Sequence, residues 1–96
     1  MKKRFSLLTN DMSKCYLSGT TKDIHIHEVF YGSANRQKSI EYGCCVPLTA
    51  SLHILGNNSV HFNKALDMRL KREMQVAFEN KYSHEKFMEI FGRNYL

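Results

Sequence analysis

The sequence predicts an α+β fold. Three observations carry that prediction. Residues 23–31 form a β-branched and aromatic run that reads as a strand. Residues 44–48 form a brief apolar run that reads as a second one. Through the last third of the chain, apolar residues recur at helical spacing.

The elements follow in order. Phe5 to Leu8 is a candidate strand, and Cys15-Tyr16-Leu17 leads into a Ser18-Gly19-Thr20 turn. The strand at 23–31 ends at Gly32. Residues 35–42 suit a short helix stopped by Gly43. In the second strand Pro47 has no N–H for a ladder, which predicts an edge position. Residues 49–54 read as one helical turn and 55–59 as a loop. Asn63 is an N-cap candidate for a long helix whose inner stripe is Leu66, Leu70, Met74, Ala77 and Phe78. Arg69, Arg72, Glu73 and Glu79 take its other face. Ser83 caps a short terminal helix with Phe87, Ile90 and Phe91 inward, ended by Gly92.

The 96 residues are near the ordinary size of one domain, so 1–96 is read as a single unit. A hydrophobic share of 43% belongs to a folded chain. The core is nonetheless small, and such chains often add a metal, a disulfide or a partner. Fourteen Lys and Arg against nine Asp and Glu give a net charge of +5. That excess favours an acidic or phosphate-bearing partner, although an ordinary basic surface explains it more simply. No apolar stretch approaches the roughly 18 residues of a membrane helix. Leu7-Leu8 behind the basic start is too short for the apolar part of a signal peptide. The expectation is a soluble cytoplasmic protein. The three cysteines Cys15, Cys44 and Cys45 include no C-x-x-C pair, so reduced, partly buried thiols are expected. A thiol ligand to a metal is the alternative.

Four of five histidines fall mid-chain: His25, His27, His53 and His61. Each alone reads as a structural residue. Together, His27 near a strand end, His53 in a helical turn and His61 before the long helix could meet around a metal. Imidazole ligands suit Zn, Ni, Co or Mn more than Mg. Spacing by itself leaves both readings open. The basic residues Lys64, Arg69, Lys71 and Arg72 could follow a phosphate backbone, and a solvated helix face accounts for them equally well.

Five segments carry a resemblance. They are His27-Glu-Val-Phe-Tyr-Gly-Ser-Ala-Asn-Arg36, Glu41-Tyr-Gly43, Val60-His-Phe-Asn63, Leu66-Asp67 and Phe91-Gly-Arg-Asn-Tyr-Leu96. Over about residues 14–96 the chain resembles small phage-encoded HNH (His-Me finger) nucleases. The resemblance implies a ββα-metal core, followed here by the long helix and the short terminal one. It implies one divalent metal, most simply Zn with Mn, Ni or Mg as alternatives, held by His27, His53 and His61. It implies DNA as the family's substrate and phage origin in a bacterial host cell; Arg36 lies where a phosphate contact is reasonable, and a surface salt bridge accounts for it equally well.

The pattern breaks in two places. Where active members carry a second histidine as general base, this chain has Glu28. A carboxylate there puts negative charge beside the scissile phosphate, so turnover should suffer. If turnover survives, Glu28 itself or His25, two residues earlier, would serve as base; a surface histidine is the plainer reading of His25. Many HNH domains also hold a structural zinc with two C-x-x-C pairs. Cys15 is retained here, but Ser18, Thr49 and Leu52 stand at the other three positions. The resemblance therefore implies a metal-stapled protein that acts by binding, for example an inhibitor of a host defence nuclease of the anti-CRISPR type, such as a CRISPR effector. The alternatives are an active metal-dependent DNA endonuclease and a DNA-binding accessory without turnover.

Overall fold

The computed structural model describes residues 4–55, 60 and 63–96, with only the backbone path at 54 and 55. The fold is α+β. Strands β1 (Ile24–Glu28) and β2 (Cys45–Thr49) pair antiparallel, Ile24 opposite Thr49 and Glu28 opposite Cys45. Helix α1 (Asn35–Tyr42) lies in their connection. After β2 comes a π-helical turn (Ser51–Leu55), then the long helix α2 (Lys64–Lys81) and the terminal helix α3 (His84–Phe91). Among the described residues no helix is long and apolar enough to cross a membrane.

Local chemistry sets the helix ends. Asn63 Oδ1 accepts the Leu66 N–H at 3.1 Å and starts α2. Ser83 Oγ accepts the Lys86 N–H at 3.0 Å and starts α3. Gly43 ends α1 with φ 77°, its N–H donating to Ser39 O. A methyl group at that position would run into the Phe5 ring. Gly43→Ala is therefore expected to cost about 1–2 kcal/mol from the left-handed backbone alone. Thermal denaturation should show the loss, and an unchanged midpoint would contradict this account of the turn.

The core is one cluster. Leu70, Met74 and Phe78 line the inner stripe of α2 and are fully buried, as is Phe87 of α3. Phe30, just past β1, joins them, with ring centroids 5.2 Å from Phe87 and 4.5 Å from Phe91. Val46 and Leu48 of β2 complete the floor.

Three elements differ from their predicted form. Phe5 to Leu8 makes no strand. It forms one bridge, Ser6 to Cys44, and one further bond, Leu7 N–H to Gly43 O at 2.9 Å. The left-handed Gly43 turns the partner chain away, so the ladder cannot continue. The strand at 23–31 leaves the ladder after Glu28, although the Val29 N–H still reaches Cys44 O at 2.9 Å. The helical turn after β2 is wider than an α-turn. As predicted, Pro47 lies on a strand with a free side, but that side is covered. Its carbonyl accepts the Tyr16 N–H at 2.8 Å, and Cys45 to Leu48 are all buried.

Candidate functional site

Alternation along β1 puts His25 and His27 on one face of the strand and Glu28 on the other. The π-turn after β2 carries His53 back over the histidine face. Such wide turns re-aim single side chains and are common at functional sites. His25 Nδ1 and His53 Nδ1 stand 3.1 Å apart, with the rings at 84° to each other. The His27 ring lies 5.1 Å from that of His53 and is only 2% exposed. His53 is thus the hub of three imidazoles from two elements. His61 lies outside the described residues. Among the described residues, no group of three or more His, Cys, Asp or Glu side chains is arranged to hold a metal ion.

Glu28 faces two guanidinium groups. Arg36 Nε is 3.4 Å from one carboxylate oxygen and Arg4 Nε is 3.7 Å from the other. The carboxylate is 13% exposed, against 63% for Arg36 and 42% for Arg4. A cleft of about 530 Å³ opens here, lined by Arg4, His27, Glu28, Tyr31, Arg36 and His53. It sets an imidazole side beside a carboxylate with two cations.

The basic residues of α2 do not share one surface. Lys64 is exposed. Arg69 pairs with Glu73 at 2.8 Å, and Glu73 also accepts the Tyr16 hydroxyl at 2.7 Å. Arg72 donates to Tyr95 O at 3.3 Å. Lys71 turns inward and is 9% exposed. Its ammonium is 2.7 Å from Asp67 Oδ2 and 4.2 Å above the Tyr31 ring, whose hydroxyl donates to the same oxygen at 3.1 Å. Burial pulls the Lys71 pKa down, but the hydrogen bond and charge of Asp67 outweigh it and hold it above its ordinary value. The sequence signal for this is Asp67, Lys71 and Gln75 at i, i+4 intervals. They form a buried polar stripe beside the apolar one. Two cleft residues, Arg4 and Tyr31, had no such signal. Both join the site through contacts distant in the chain.

A second grouping lies behind β2. Cys15 is 2% exposed at the start of a tight turn in which the Gly19 N–H returns to Cys15 O at 2.9 Å. Its Sγ accepts the Ser18 N–H at 3.4 Å. Burial raises the thiol pKa, but hydrogen bonds from Ser18 and from the Thr49 and Leu17 backbone outweigh it and bring it below the ordinary value. Cys15, Ser18 and Thr49 are therefore neighbours.

Comparison with protein families, curated proteins and solved structures finds no match to this chain.

Proposed function

We propose that this is a metal-binding protein of HNH-like build that no longer turns over DNA and acts by binding, as an inhibitor of a host defence nuclease of the anti-CRISPR type. The carrying observation is the pair of guanidinium groups on Glu28. A general base must offer a lone pair to the attacking water. Here both carboxylate oxygens already face arginines. An incoming phosphate would have to compete for those arginines while meeting the carboxylate's own charge.

Two observations support the HNH-like reading. The order β1, α1, β2, π-turn, α2 supplies two antiparallel strands followed by a helix, with His25 and His27 on β1 and His53 in the turn. Cys15 and Ser18, which share one turn, also meet Thr49 from the end of β2, and the three correspond to three of the four zinc-ligand positions in the family pattern. His27 and His53, with His61, are the residues that would hold the ion, and their nitrogen donors favour Zn over Mg. When bound, the ion would tie β1 to the turn after β2, so its binding energy would add to folding. The protein would then act in the cytoplasm of a bacterial host. Its partner surface would be the cleft side with its exposed Arg4 and Arg36.

The second reading, an active metal-dependent DNA endonuclease, draws on His25, an imidazole already beside His53 that could serve as base. Plasmid DNA incubated with the protein and Mg, Mn, Ni or Zn separates the two readings. The expected result is about one equivalent of zinc bound and no nicking. In a parallel reaction, the protein should lower DNA cleavage by a CRISPR effector. Metal-dependent nicking that disappears in His53→Ala would overturn the binding-only reading. No inhibition of any effector tried would overturn the inhibitor assignment.

A further inference from the structure

We infer that His25 is a ligand of the metal, binding through Nδ1 as a pair with His53 Nδ1. This rests on the metal reading above and changes its ligand set, since the resemblance points to His27 as the strand's contribution. The two Nδ1 atoms are 3.1 Å apart. Two nitrogens bound to one tetrahedral zinc at about 2.0–2.1 Å lie roughly 3.3 Å from each other. The observed separation is within a few tenths of an ångström of that tetrahedral edge, so only a slight spreading of the rings admits the ion.

The rings stand at 84° to each other, nearly edge to face, and so do not stack. Both histidines are partly exposed, which leaves a way in from solvent and room for further ligands such as water. Their backbone is held by the β1–β2 ladder on one side and by the turn at its end on the other.

Without metal, the same contact is a hydrogen bond between two neutral imidazoles, in which one Nδ1 carries the proton and the other accepts it. Metal entry requires both Nδ1 lone pairs. The ring that was protonated at Nδ1 becomes the Nε2–H tautomer, and no net proton is released.

The test is long-range proton–nitrogen NMR on histidine-labelled protein with one equivalent of zinc, beside zinc titrations of wild type and His25→Ala. The expected result is a metal-bound shift of both Nδ1 atoms and protonated Nε2 on both rings. Zinc affinity should fall at least tenfold in His25→Ala, since even outer-shell partners of a metal are worth roughly 10–100-fold. Zinc bound with His25 Nδ1 unshifted and affinity unchanged in the variant would overturn the inference and leave the metal reading standing. No zinc bound by the wild type would overturn both. The NMR result on the wild type decides the matter even where the variant folds poorly.

Discussion

Phe87→Ala is expected to cost about 3–5 kcal/mol and to leave the chain largely unfolded at physiological temperature. Phe87 is fully buried and stands at the centre of an aromatic cluster. Its ring centroid is 5.0 Å from Phe91, 5.2 Å from Phe30 and 5.4 Å from Phe78. Truncation removes the ring and leaves a cavity between α2, α3 and the segment after β1. The whole chain has only roughly 5–15 kcal/mol to lose. At about 4–8 °C per kcal/mol for a domain of this size, the melting temperature should drop by well over 10 °C. Phe87→Leu should lose far less, because it keeps most of the volume. Val76→Ala, at a position 46% exposed on α2, should stay within about 0.5 kcal/mol of wild type. Equal effects of Phe87→Ala and Val76→Ala in calorimetry would contradict this description of the core.

The second large effect is alkaline unfolding. Burial pushes the Cys45 thiol from 9.0 to about 12, with the nearby Glu28 charge adding to it. Burial also drives the neighbouring Cys44 well above its ordinary value, reinforced by Cys45. Tyr16, desolvated and hydrogen-bonded to Glu73, moves from 10.0 to about 12. In all three, the folded state holds its proton more tightly than the unfolded chain does. Their contribution is complete below pH 9 and is lost as pH rises towards 12. For Cys45 alone the step from 9.0 to about 12 corresponds to roughly 4 kcal/mol at full ionisation. The chain should therefore hold this contribution up to about pH 9 and lose it as pH climbs towards 12, with thiolate absorbance and loss of circular dichroism rising together. Cys45→Ala should move the midpoint upward. Thiolate absorbance appearing before any loss of structure would show that these thiols ionise in place.

Several features were legible because they depend on neighbours in the chain. Asn63 and Ser83 bond N–H groups three residues ahead, and Gly43 and Gly92 take a conformation that other residues avoid, so all four helix ends show in the sequence. The apolar stripe of α2 is legible for the same reason. What long-range contact decides was less so. Lys71 shows its i, i+4 spacing from Asp67 in the sequence, and only the fold adds the Tyr31 ring and buries the pair. His25 and His53 are 28 residues apart and meet because the π-turn is one residue wider than the sequence suggests. Glu28 is visible as the residue at the base position. That it faces Arg36 depends on how β1 leads into α1, and that it faces Arg4 depends on how the segment from Arg4 crosses the strand pair.

That crossing has a consequence for how the protein is made. The segment from Arg4 to Tyr16 supplies the Ser6–Cys44 bridge, the Leu7 bond to Gly43 and the Tyr16 bond to Pro47. It leaves the ribosome ahead of β2, yet it finds its partners only once residues some 30 to 40 positions later have emerged. Until then the apolar run Cys44-Cys-Val-Pro-Leu48 offers unpaired backbone to any other chain, a template for intermolecular strand addition. The amino-terminal arm thus acts as an internal gatekeeper against self-association. Substitutions that weaken its contacts with Gly43, Cys44 and Pro47 would interfere with that sealing step.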